Sequence, residues 1–261
     1  MARKPDWVVE KERARREGPP PVWLFGLHAV RDALLNPARV RRRLILTRNA
    51  ALRLGDEVLA AAGLEPEIAD PRRFPAPLDP QSVHQGAALE VDPLDWGPLE
   101  EICAPQGEND LVVLLDRVTD PHNVGAILRS AEVFGARAVI APQRYSAPET
   151  GALAKTASGA LERQPYLRVK NLGTAMEQLK ELGYACVGLD GLGETDMDAA
   201  VAALPGRPLA LAMGAEGPGL RDKTRGLCDS VARIPSAAEF ASLNVSNAAA
   251  VALYAARAAR R

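Results

Sequence analysis

The chain is poor in sulfur, histidine and rings: 261 residues contain three cysteines, three histidines and 4% aromatic side chains. Cys103, Cys186 and Cys228 lie far apart with no CxxC spacing, which argues against a disulfide framework or a zinc site and for packed thiols. His28, His84 and His122 are equally scattered, so no metal set emerges. No uninterrupted apolar run approaches the ~18 residues of a membrane span, and the first residues are charged where a secretory signal would be apolar. The expectation is a cytoplasmic protein without a membrane partner. A GxGxxG following the first strand of a dinucleotide fold is also missing.

What is present is a substantial apolar fraction, 47%, and a lopsided charge. Residues 1–53 hold 13 Lys/Arg against 5 acids, a net of +8, so the remainder carries −9. A basic front on an acidic body suggests polyanion contact near the N-terminus, with a solvated basic face as the alternative. Arg41, Arg42 and Arg43 are the candidate phosphate contacts, or equally a solvated rim.

Residues 1–21 end in Gly18-Pro19-Pro20-Pro21 and read as a mobile basic tail. Residues 22–92 read as a small α/β domain. It has strands at Val22–Phe25, Arg43–Leu46, 65–68 and Ala87–Val91, a helix carrying Leu27, Val30 and Leu34, and another at 50–61. Residues 93–109, rich in Pro, Gly and acids, read as a linker. From 110 to 261 strands and helices alternate, with strands at Leu111–Leu115, 138–141, Ala185–Leu189, 209–213 and 231–234. Helices fall at 124–134, 172–182, 219–228 and beyond 247. That rhythm implies an α/β fold with a mostly parallel sheet, whose ligands bind beyond the carboxyl ends of strands.

Three strand ends carry polar and glycine-rich sequence. After the first comes Asp116…Asp120-Pro121-His122-Asn123-Val124-Gly125-Ala126…Arg129. Asp120 suits a helix N-cap with Pro121 at the first helical position. Asn123 and Arg129, six residues apart, would converge only if Asn123 lay in the opening loop or turn. Arg129 reads as a residue of the helix's apolar side, either a fork for a phosphate or half of an ion pair. His122 is a proton-transfer candidate or an incidental loop histidine. The second strand end is Met213-Gly214-Ala215-Glu216-Gly217, whose glycines permit close backbone approach to a ligand. The third is Ile234-Pro235…Ser242-Leu243-Asn244-Val245-Ser246-Asn247, a Ser/Asn cluster entering a helix apolar on most sides. Such a helix belongs in a core or a subunit interface.

These three segments resemble the signature motifs of the SpoU (TrmH-type) branch of the SPOUT RNA methyltransferases. Leu24-Phe25-Gly26-Leu27-His28-Ala29-Val30 and Val83-His84-Gln85-Gly86 are similar to the bounds of that family's small substrate-binding domain, and Ala157-Ser158-Gly159-Ala160-Leu161-Glu162 adds agreement. Within the branch the chain looks most like the 23S ribosomal RNA guanosine-2′-O-methyltransferases. The resemblance implies a C-terminal domain with a parallel sheet and a deep trefoil knot, an L30e-like N-terminal domain, a homodimer through the C-terminal domain, and S-adenosylmethionine as cofactor. It assigns Gly214, Ile234 and Leu243 to the cofactor pocket and Asn123, Arg129, Glu216, Ser242 and Asn244 to the chemistry. The chain departs from the family pattern at Ser236, Ala237 and Ala238, and Asn247 stands where an aliphatic residue is frequent. A transfer RNA substrate and a non-catalytic RNA-binding or ribosome-assembly role on the same scaffold are the competing readings.

Overall fold

The structure is a computed structural model that describes residues 19–237 and 242–259. Most of the expected basic tail, residues 1–18, and Ala238 to Ala241 of the third motif lie outside the described residues. The chain divides into two compact units, one of residues up to Asp95 together with Glu149–Gly151, the other of Trp96–Pro148 and Ala152 onward.

The small unit begins with β1 (Val22–Phe25) and α1 (Leu27–Leu35), continues through β2 (Arg41–Leu46), α2 (Arg48–Leu54), α3 (Asp56–Ala62) and β3 (Glu67–Ile68), and ends with β4 (Ala87–Val91). Its sheet has the order β1-β4-β2-β3, with β4 antiparallel to both neighbours and β3 parallel to β2. Leu27, Val30 and Leu34 turn inward from α1 as their spacing requires, joined by Ala29 and Ala33. The single helix expected over 50–61 is two, because Gly55 at φ +83° breaks it. His84 serves a turn: its Nδ1 accepts from Gly86 N at 3.1 Å and its ring stacks on Phe74 at 4.2 Å.

The arginine run on β2 is internally paired. Arg42 forks onto Asp92 at 2.5 and 3.0 Å, and Arg43 onto Glu67 at 2.6 and 2.8 Å. Arg41 donates to the carbonyls of Leu34 at 2.5 Å and Ala61 at 3.4 Å. The hydrogen bond from Arg43 holds the Glu67 carboxyl below its ordinary value, and the Asp92 partner raises Arg42. Arg39, its side chain 0% exposed, binds Glu149 at 2.5 Å and the Asp92 carbonyl at 2.8 Å.

In the large unit α4 (Leu99–Ile102) is followed by β5 (Leu111–Asp116), α5 (Pro121–Val133), β6 (Ala136–Pro142), α6 (Gly151–Ala157) and β7 (Tyr166–Val169). Then come α7 (Leu172–Glu181), β8 (Ala185–Leu189), β9 (Thr195–Asp196), α8 (Met197–Ala202), β10 (Leu209–Gly214), α9 (Asp222–Leu227), β11 (Ser230–Arg233) and α10 (Val245–Ala258). The seven strands run in the order β7-β6-β5-β10-β8-β11-β9, and every pair is parallel. Because helices cover both faces, β5 and β8 are buried at every residue and β6 and β10 at all but one. Leu172, Met176 and Leu179 of α7 pack with Val112, Leu114, Ile140 and Ala212 in one core cluster.

The stretch 93–109, expected as a linker, is in part core. Leu99 and Cys103 are buried in that same cluster, and the Tyr184 hydroxyl donates to the Cys103 carbonyl at 3.0 Å. The apolar residues Trp96, Leu99, Ile102 and Cys103, spaced for one helix turn, outweigh the surrounding Pro and Gly. The helix expected from Gly219 starts only at Asp222, because residues 214–220 fold back on themselves through a bridge between Ala215 and Gly219. Strand β7 and helices α6 and α8 are not legible from periodicity. The cysteines are packed thiols: burial pushes Cys103 and Cys186 up to about 12 and Cys228 up to about 11.

Candidate active site

Helix α5 starts as its sequence dictates, with the Asp120 carboxylate accepting from His122 N at 2.9 Å and Pro121 at the first helical position. Asn123 is therefore helical, in the first turn, one of the two placements that convergence with Arg129 allowed, but the helix is regular from there on and puts the two on different faces. The two diverge accordingly. Val124, Ile127, Leu128 and Ala131 form the buried stripe, which leaves Arg129 on the exposed face beside Val133, 77% exposed, and not on the apolar side. The Arg129 side chain makes no hydrogen bond or ion pair among the described residues. His122 meets the Thr156 hydroxyl at 3.2 Å.

Three of the predicted residues meet at one carboxylate. Glu216 follows β10 and its Oε1 accepts from Asn244 Nδ2 at 2.6 Å, Asn123 Nδ2 at 3.3 Å and Val245 N at 3.3 Å. Asn244 Nδ2 also donates to Asn123 Oδ1 at 2.9 Å. Through its Oδ1, Asn244 caps α10, accepting from Ser246 N at 2.9 Å and Ser246 Oγ at 2.6 Å. The Ser/Asn cluster is thus a helix cap and a site wall at once, and Ser246, given no role by the motif, joins through Asn244. Ser242 is exposed and makes none of these bonds.

Gly214, at the end of β10, is required by its own chain: an added Cβ would lie 2.1 Å from Gly219 C and 2.4 Å from Leu220 N. Gly125 is needed by packing, since a Cβ there would meet Ala157 N and Thr156 Cβ at 2.8 Å. Ile234, just past β11, is half-buried, and Leu243 is 50% exposed. Strands β5, β10 and β11 are parallel, so all three motifs emerge at one edge of the sheet. Asp116, 1% exposed, accepts from Arg221 N at 3.1 Å, Arg221 Nε at 2.6 Å and Thr224 Oγ1 at 2.6 Å, tying β5 to α9. This aspartate orders the edge; it is not part of the Glu216 cluster.

Glu216 has no lysine or arginine partner among the described residues, and its carboxylate accepts from the amides of Asn123, Asn244 and Val245. No group of His, Cys, Asp and Glu among the described residues could hold a metal ion. No helix of the described residues is long and apolar enough to cross a membrane.

The parallel α/β architecture is that of solved SpoU methyltransferases. The SpoU methyltransferase AviRb from Streptomyces viridochromogenes, in complex with AdoMet, superimposes with a TM-score of 0.77 at 27% identity, covering 95% of this chain and 93% of that one. The profile of the SpoU rRNA methylase family matches residues 110–254, and the chain belongs to that family. It is 40% identical over 238 residues to the 23S rRNA (guanosine-2'-O-)-methyltransferase RlmB of Vibrio cholerae, and 38% identical over 235 residues to that of Pseudomonas putida. Each match covers 88% of this chain and 94% of the relative.

Proposed function

We propose that this protein methylates a ribose 2′-hydroxyl of RNA with S-adenosylmethionine, on a guanosine of 23S ribosomal RNA. The observation that carries the reading is the Asn123–Glu216–Asn244 cluster, which joins the three motifs around one carboxylate that has no cationic partner among the described residues. A carboxylate without a cationic partner among the described residues, on the same strand-end edge as the exposed Leu243 and half-buried Ile234, suits a ligand that combines a cationic sulfonium with an apolar purine. In this reading Gly214, Ile234 and Leu243 hold the cofactor by backbone and apolar contact. When bound, the cofactor supplies an electrophilic methyl group for in-line displacement.

The chain's own contribution is geometry, and positioning alone removes much of such a barrier. Arg129 carries a planar fork of donors and no acceptor, so its role is not that of a base; it grips the target phosphate and polarises the hydroxyl. Asn123, Glu216 and Asn244 fix the loops around the reacting atoms, with Ser242 at the mouth.

Residues 22–92 form the L30e-like RNA-binding domain in this proposal, 93–109 the connection, and 110–261 the SPOUT domain with its deep trefoil knot. A second copy covers α5 and α10: the outer stripe of α10 exposes Val251 at 42% and Tyr254 at 60%, next to the 77% exposed Val133 of α5. Such an apolar face is a liability on a monomer and ordinary in a homodimer. Because Arg129 lies on that face of α5, dimer formation brings it to the shared site.

Methyl transfer from labelled cofactor to ribosomal RNA tests the assignment. Arg129→Ala is expected to lower turnover by about 10²-fold or more, with cofactor affinity retained. Retained turnover overturns the role of Arg129. A map of 2′-O-methyl sites in ribosomal and transfer RNA from cells lacking the protein is expected to lose one 23S guanosine; a lost transfer RNA site moves the substrate, and an unchanged map overturns the enzyme.

A further inference from the structure

We propose that a cationic cleft at the carboxyl ends of β5, β6 and β7 holds a phosphodiester of the RNA strand that presents the target ribose. The proposal rests on the RNA reading above and adds a second contact region to it. The cleft encloses about 270 Å³, and its charged lining is Arg117 after β5, Arg144 after β6, Lys170 after β7, and Arg221 and Lys223 at the start of α9. No acid is among its lining residues. Arg221 is held by the buried Asp116. Arg117, Arg144, Lys170 and Lys223 have no carboxylate partner among the described residues.

The local electrostatics call for an anion. Lys170 directly precedes Asn171, the N-cap of α7. Lys223 Cε lies 3.1 Å from where a Cβ on Gly173 would stand, so its side chain crosses the first turn of the same helix. A helix N-terminus carries partial positive charge and favours negative neighbours; two lysines there, with Arg117 and Arg144 nearby, repel it and each other. A phosphate oxygen among them reverses every one of these interactions.

The aromatic content points to a nucleic acid strand. Tyr145 is 68% exposed and the Arg117 guanidinium lies 5.1 Å from its ring centroid. Both residues sit at left-handed φ, +63° for Arg117 and +61° for Tyr145, a conformation non-glycine residues adopt at a cost. Free cations beside an exposed ring are what single-stranded RNA uses, backbone on charge and base on the π-face. The cleft occupies the β5–β6–β7 half of the sheet edge, whereas Gly214 and Ile234 belong to the β10–β11 half. Strand and cofactor therefore approach the same edge from opposite halves.

The triple variant Arg144→Ala/Lys170→Ala/Lys223→Ala removes three cations that neither fill the core nor neutralise a carboxylate, and Tyr145→Ala removes the ring. Binding of labelled oligouridylate is measured by anisotropy across a salt series, with thermal melting and calorimetric S-adenosylmethionine binding as folding controls. The slope of log K against log[salt] is expected to fall by about 2, at about 0.7 for each phosphate no longer neutralised, with melting and cofactor affinity unchanged. Tyr145→Ala is expected to weaken binding while keeping the slope. A triple variant with wild-type affinity and slope overturns the cleft. Displacement of the oligonucleotide by inorganic phosphate at matched ionic strength assigns the cleft to a free phosphate and overturns the strand. Wild-type methyl transfer to ribosomal RNA, read separately, decides the RNA reading itself, so the two failures are distinguishable.

Discussion

The small unit and the strand-end edge of the large unit are both dense in cations, and they use them in opposite ways. In the small unit each arginine of the β2 run finds an internal acceptor: Asp92 for Arg42, Glu67 for Arg43, and backbone carbonyls for Arg41, with Arg39 sealed against Glu149 behind them. At the large unit's edge Arg117, Arg144, Lys170 and Lys223 line a cleft without a carboxylate, and Glu216 is bound by amides without a cation among the described residues. A run of basic residues in sequence thus marks where charge is placed, and pairing decides whether it remains available to a partner. Charge that is internally neutralised braces the fold; charge left uncompensated within one chain is where a charged ligand has most to offer.

The contrast breaks most readily at Arg39. Truncating Arg39→Ala removes the buried guanidinium that Glu149 faces and is expected to destabilise the fold by about 3–5 kcal/mol, read by urea unfolding. A cost near zero would mean that the small unit does not depend on its buried arginine. At the other edge, Glu216→Gln keeps the shape and most of the hydrogen bonds while removing the charge. It is expected to weaken S-adenosylmethionine binding about tenfold, the scale of one missing charge attraction at a partly exposed site, with no loss of melting temperature. Unchanged cofactor affinity would detach the carboxylate from the sulfonium. The smallest effect is expected from Arg42→Ala/Arg43→Ala, whose exposed ion pairs add little to stability and whose charges are already matched. The salt slope of oligouridylate binding should stay at the wild-type value, and a fall as large as that of the cleft variant would erase the distinction between the two regions.

Much of the fold is legible because it is written in periodicity. Continuous apolar runs mark β5 and β8, the spacing of Leu27, Val30 and Leu34 marks α1, and Asp120-Pro121 marks the start of α5. Short elements escape, since β7 and α8 are too brief for a pattern to rise above their surroundings. Asn123, Glu216 and Asn244 stand out as motif residues, and Asp116 is visible as the last residue of a buried run. Arg129 is easily misplaced on its helix because its neighbours Ile127 and Leu128 are apolar, although adjacency in sequence puts residues about 100° apart around the axis. The cleft is invisible in sequence, its five cations being spread over a span from Arg117 to Lys223 with no motif in common.

The sequence alone determined that the chain alternates strands and helices, carries the three SpoU motifs, and spaces its cysteines far apart. Those properties follow from local spacing and residue type. Only the tertiary structure decided which charges are free. A carboxylate and a guanidinium meet or miss according to strand order and helix face, and a glycine such as Gly214 yields to its own loop only once that loop has folded over it. Pairing is a long-range property, and the availability of Glu216, Arg117 and Lys170 to a ligand depends on it.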